Sequence, residues 1–188
     1  VVLVTRSLRL KFAVLAVAVT GVSGVAAAAA SGGGPSRFGT DLIGYEEVPA
    51  VSTTGDGNFS AKIRRSGSEL HYRLEWRDLS GPPTQAHIHF GQFTANGGIS
   101  IFLCSNLGNG PAGTAPCPAQ TSGEVSGTAT AAQVVGPSGQ GIDPGEFDEL
   151  VRAMQSGVTY ANVHTGKFPG GEIRGQLGKD RGHDRDDD

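Results

Sequence analysis

The chain has only two cysteines, Cys104 and Cys117. None stands directly after the apolar run near the N-terminus, which excludes a bacterial lipoprotein anchor, and the spacing of the pair is not that of a redox motif. Positive charge is also short: Lys and Arg number 15 against 18 Asp and Glu, for a formal net charge of −3. Setting aside Arg6, Arg9 and Lys11, the charged residues among the first thirty, takes that net charge from −3 to −6. Such a balance argues against nucleic acid as a partner. Aromatic residues are 6% of the sequence, yet an apolar fraction of 37% over 188 residues suffices for one domain with its own core. No serine lies in a nucleophile elbow. Gly108-Asn109-Gly110-Pro111-Ala112-Gly113 matches a dinucleotide-binding pattern in letters, but no helix follows it and it falls between the cysteines.

The ends of the chain read as processing and solvation. Arg6, Arg9 and Lys11 precede the apolar run from Phe12 to Val19, and Ala26 to Ala30 supplies small residues of the kind signal peptidase accepts. Residues 1–30 therefore read as a secretory signal peptide, with an uncleaved membrane anchor as the competing reading. Residues 31–37, with three consecutive glycines and Pro35, read as a flexible leader. Residues 179–188 alternate basic and acidic side chains and read as a disordered tail. The domain is thus expected over residues 38–178, secreted to the extracellular space or the periplasm, with no membrane span after signal cleavage. In that oxidising setting Cys104 and Cys117 are expected to pair and hold down a Gly- and Pro-rich loop, a gain of roughly 3 kcal/mol. A reactive thiol pair is the alternative.

Between the ends, short strands dominate. Phe38 to Tyr45 reads as a first strand, broken by Glu46-Glu47-Val48-Pro49 because proline cannot donate to a ladder. Glu46 and Glu47, being adjacent, would face opposite ways in a strand and could not act as a carboxylate pair. Phe59, Ala61 and Ile63 alternate with polar residues, and so do Leu70, Tyr72, Leu74 and Trp76 with His71, Arg73, Glu75 and Arg77. That second pattern is a sheet wetted on one side, with His71 in solvent. Ile99, Ile101 and Leu103 alternate in a later strand, and Thr121 to Val135 forms another strand region. Asp143-Pro144-Gly145-Glu146 offers an N-cap, a proline at the first helical position and a glutamate at the third. Phe147, Leu150, Val151 and Met154 follow at helical spacing, and Gly157 stops the helix. About eight short strands with one inserted short helix predict an all-β fold, an antiparallel Greek-key β-sandwich or flattened barrel.

One stretch occurs twice. Ala86-His87-Ile88-His89-Phe90-Gly91-Gln92-Phe93 leads to Gly97-Gly98, and Ala161-Asn162-Val163-His164-Thr165-Gly166-Lys167-Phe168 leads to Gly170-Gly171. Both copies read as strand, Gly-rich turn, strand. Ala86, Ile88 and Phe90 face one way, and Gln85, His87 and His89 the other. His87 and His89 then lie roughly 6 to 7 Å apart along one strand, close enough for two imidazoles to converge on one ion. If the copies pair side by side, His164 arrives next to His89, and three imidazoles with an open position suit copper or zinc. The competing reading is three surface histidines hydrogen-bonded to Gln85, Asn162 or Thr165.

Taken together, Leu42-Ile43-Gly44 with Glu47-Val48-Pro49, Ala86-His87-Ile88-His89-Phe90-Gly91, Tyr160-Ala161-Asn162-Val163-His164-Thr165 and Pro169-Gly170-Gly171-Glu172-Ile173-Arg174-Gly175-Gln176-Leu177 resemble the CHRD domain named after chordin. The resemblance spans Phe38 to Leu177, with Ala50 where a second proline is expected. It implies a secreted binding or structural module without catalysis, whose partner is an unidentified extracellular protein or ligand. At the site alone, His87-Ile88-His89 resembles the His-Val-His strand of copper-zinc superoxide dismutase. That resemblance implies a copper or zinc site with His164 as a further ligand and the disulfide loop as a cover. The bridging histidine and the zinc-binding run of that family have no counterpart in this chain. Arg174 would guide an anion to such a site, or pair with Glu172 or Asp78.

Overall fold

The computed structural model describes residues 36–64 and 67–179. The expected signal peptide, nearly all of the leader and the tail beyond Lys179 lie outside the described residues. The strands are β1 Arg37–Ile43, β2 Asp56–Arg64, β3 Glu69–Arg77, β4 Pro83–Phe90, β5 Gly98–Ser105, β6 Gly123–Ala129, β7 Thr159–Thr165, β8 Ile173–Gln176 and β9 Gly178–Lys179, with a helix α1 at Phe147–Gln155 between β6 and β7. Every pairing is antiparallel, in the order β5-β4-β7-β8-β1-β2-β3-β6, and β9 adds to β1.

The two ends of this sheet curl toward each other. Ile101 of β5 bridges Val134 just after β6, and the Tyr72 hydroxyl of β3 donates to the Leu103 carbonyl of β5 at 3.0 Å. The result is a nearly closed barrel, as the alternation predicts. Phe38, Leu42, Phe59, Leu70, Leu74, Trp76, Ile88, Ile101, Leu103, Val163 and Ile173 fill its interior. The buried stripe of α1, Phe147, Leu150, Ala153 and Met154, joins the same cluster. Cys104 and Cys117 form the expected disulfide. Asn106 holds the loop between them, with its amide bonded to the Cys117 N–H and carbonyl and to Pro83.

Two local expectations fail for identifiable reasons. Helix α1 starts at Phe147 instead of after Asp143, because Gly145 adopts φ +90° and turns the chain before any helical turn can form. Glu146 still reaches back to the Asp143 N–H at 2.8 Å, so the capping pair closes a turn rather than a helix. In β5 the strict alternation breaks at Ser100: the β4–β5 register steps from Ile88↔Ile101 to His89↔Ile99. This irregularity leaves Ser100 outside the pairing and puts Ile99 beside His89 instead of in the core.

The repeated stretch builds two hairpins, β4–β5 and β7–β8, joined through their first strands. In the β4–β7 pair, Gln85 faces His164, His87 faces Asn162 and His89 faces Tyr160. His87 and Asn162 hold the same position in the two copies, so the copies are related by a local two-fold axis through that pair. The equivalent residues His89 and His164 therefore stand on opposite sides of it.

Candidate functional site

The local axis decides how the three histidines meet. Antiparallel pairing places residues facing one another on the same side of the sheet, so His87, His89, Tyr160, Asn162 and His164 share one face. His87, on the axis, is the common neighbour: its ring centroid lies 5.3 Å from that of His89 and 4.9 Å from that of His164, whereas His89 and His164 are 6.3 Å apart. The expectation that His164 would arrive next to His89 is corrected by the register, which brings it to His87. One ligand nitrogen from each of the three lies within 4.8 Å of the others.

These histidines are not on the surface, although Asn162, one of the neighbours expected beside them, does face His164. His87 is 0% exposed, His89 8% and His164 6%. The outward side of β4 and β7 is roofed by the β1–β2, β4–β5 and β7–β8 connections. From the β4–β5 loop, the Gly97 carbonyl accepts a hydrogen bond from His89 Nδ1 at 2.9 Å. From the β7–β8 loop, the Pro169 carbonyl accepts one from His164 Nδ1, also at 2.9 Å. The two copies of the motif thus hold equivalent histidines in the same way. The disulfide loop also reaches this face: its Asn109 amide donates to Gln85, which stands opposite His164.

Those carbonyls determine the tautomers. A carbonyl only accepts, so Nδ1 carries the proton in both neutral rings and each Nε2 presents a lone pair. His89 Nε2 is buried without a partner. His164 Nε2 lies 3.1 Å from His87 Nδ1 and 3.1 Å from Asn162 Oδ1. His87 Nδ1–H donates across the first of these contacts, which leaves His87 Nε2 buried and partnerless as well. Burial, then the neighbouring His164 and His89, pull the His87 pKa down to about 2. Burial pulls His89 down to about 4 against the opposing bond to Gly97, and it lowers His164 against the bond to Pro169. The three rings are neutral at physiological pH, the state in which imidazole binds metals.

Three more side chains complete the surroundings. Tyr160 stacks on His89 with ring centroids 4.7 Å apart and planes 1° from parallel. The guanidinium of Arg174 sits 3.4 Å over the Tyr160 ring and donates to the Ala95 and Gln92 carbonyls and to Asn96 Oδ1. Arg174 thus braces the β4–β5 loop, and its expected pairing with Glu172 or Asp78 is not what forms. Glu172 is instead a buried anchor, accepting from Thr53 Oγ1, Ser80 N, Ser80 Oγ and Thr165 Oγ1 at 2.6 to 2.8 Å. Burial opposes its charge, and these four donors together hold its pKa below the ordinary carboxylate value.

Glu47 is the residue that sequence reasoning set aside. It follows a short 3-10 turn, Gly44–Glu46, rather than lying in a strand, so alternation does not govern where it points. It is 6% exposed, with Oε1 unpartnered. Burial raises its pKa to about 7 in spite of Arg174, the Val48 N–H and the Asn162 amide, all of which favour the ionised form. Gly171, at φ +131°, makes room for it: a Cβ there would overlap the Glu47 carboxyl. The one usable signal in the sequence was that Glu47 opens Glu47-Val48-Pro49, a segment singled out with the histidine motifs.

The CHRD domain family model matches residues 38–177. Comparison with curated proteins and with solved structures returns no match. The resemblance to copper-zinc superoxide dismutase is not borne out: among the described residues, the remaining histidine, His71, sits exposed on β3 beside Glu69, far along the sheet from the cluster.

Proposed function

The chain belongs to the CHRD domain family, and on that premise we propose that it is a secreted, non-catalytic extracellular module that holds a copper or zinc ion at His87, His89 and His164. The observation that carries this reading is the pair of backbone-fixed rings. His89 and His164 each commit Nδ1 to a carbonyl at 2.9 Å and turn Nε2 inward. Metal-bound histidines are oriented in this manner by their second shell. Partnerless buried nitrogens on His87 and His89 add to it, since a buried polar atom without a partner costs roughly 1–3 kcal/mol that a bound ion would offset. Among the described residues no helix is long and apolar enough to cross a membrane. The disulfide Cys104–Cys117 fits an oxidising compartment.

Metal content of the purified chain, loaded with zinc or copper and freed of excess, tests the reading. The expected result is a stoichiometric ion in the wild type and loss of it in His89→Ala. A wild-type chain that retains no ion after loading overturns it.

A further inference from the structure

We infer that the metal centre has a fourth protein donor, the side-chain oxygen of Asn162, and that Glu47 orients it. This inference rests on the three-histidine reading and extends it from an N3 to an N3O donor set.

One contact in the site has no hydrogen to fill it. His164 Nδ1 donates to Pro169, so its Nε2 carries a lone pair and no hydrogen of its own. Asn162 Oδ1, also an acceptor, faces that atom at 3.1 Å in a buried site. No hydrogen bond joins two acceptors. Turning the amide over would supply a hydrogen, at the expense of its contact with Glu47: the Asn162 amide hydrogen-bonds the ionised carboxyl, which requires its NH2 on the Glu47 side. A cation between the two lone pairs resolves the contact without that change.

The spacing agrees. Ligands around a tetrahedral ion with bonds of about 2.0 to 2.1 Å are about 3.3 Å apart, and Asn162 Oδ1 lies 3.1 Å from His164 Nε2. Asn162 holds the position of His87 in the other copy of the motif, on the local axis, so the repeat itself aims both residues at the same point. Glu47 stands behind the amide, and Gly171 keeps the space it needs. This is the arrangement of a ligand with a second-shell carboxylate.

Copper(II) and zinc titrations of the full chain, with electron paramagnetic resonance on the copper form, test the assignment. Asn162→Leu is expected to keep metal binding through the histidines but to weaken zinc by roughly 10-fold or more, with a changed copper spectrum. Glu47→Leu is expected to weaken binding less. Asn162→Leu with wild-type affinity and an unchanged spectrum overturns the inference and leaves the three-histidine reading standing. If Asn162→Leu does not fold, Asn162→Asp decides. The exchange of an amide for a carboxylate donor shifts the copper spectrum while the nitrogen couplings persist, and an unshifted spectrum overturns the assignment. A wild-type chain that takes no metal removes both readings at once, so the two failures are distinguishable.

Discussion

Strands β3 and β4 carry histidines on the same side of the same barrel, the side away from the core, and the two surroundings are opposite. On β3, His71 alternates with Leu70 and Tyr72, pairs with Glu69 at 3.0 Å, and keeps 49% of its side chain in solvent. Its neighbours Arg73 and Arg77 make exposed ion pairs with Glu75, Glu124 and Asp56. On β4, His87 and His89 alternate with Ala86 and Ile88 in the same way, yet both are buried. Alternation therefore tells which residues leave the core and not whether they reach water. The difference comes from the connections: those next to β4 and β7 fold back over the sheet, tied down by Arg174, Asn96 and Glu172, while β2, β3 and β6 are joined around an open face.

Metal should separate the two faces most strongly. Zinc at a thousandfold excess over its Kd should raise the stability of the wild type by about 4 kcal/mol. Thermal melts should show that gain vanish in His89→Ala and persist in His71→Ala; loss in both would mean the ion is not held on the covered face. Next in size is the clamp on the cover. Glu172→Ala leaves Thr53, Ser80 and Thr165 without their common acceptor, and denaturant unfolding should show a loss of about 3 kcal/mol or more.

Acid should separate the two faces as well. His87, His89 and His164 have folded pKa values below their ordinary 6.5, so the unfolded chain binds more protons. Their contribution is fully present above pH 6.5 and is lost as pH falls, each by at most about 1.4 kcal/mol per pH unit. Glu47 runs the other way, its folded value raised from 4.5 to about 7: its contribution is present below pH 4.5 and lost as pH rises through 7. With three groups against one, the metal-free protein should lose melting temperature steadily from pH 6.5 to 4.5. A flat profile over that range would contradict the neutral buried state. The smallest effect expected is that of His71→Ala on metal-free stability, within about 0.5 kcal/mol, as for an exposed side chain away from the clamp.

Much of this molecule could be read in one dimension. Period-two alternation located the strands, because in a barrel each strand has one face on the core, and Leu70-Tyr72-Leu74-Trp76 needs nothing distant to say so. The repeated Ala-x-(Ile/Val)-His pattern located two hairpins and named His87, His89 and His164. The disulfide followed from cysteine count and context. Helix α1 was found by its apolar stripe, but its start was misplaced because Gly145 takes a backbone conformation that the capping letters do not reveal.

The histidine cluster itself depends on contacts distant in the chain. The antiparallel register placed the local axis at His87 and Asn162, and so made His87, not His89, the neighbour of His164. Loop closure buried all three rings and gave two of them carbonyl partners five and eight residues along the chain. Glu47 reached Asn162 and Gly171 from more than a hundred residues away. Sequence patterns report how a residue stands on its own strand, since that depends on local backbone geometry. Which lone pairs face one another depends on pairing register and on loops folding over the sheet, and those are set by contacts distant in the chain.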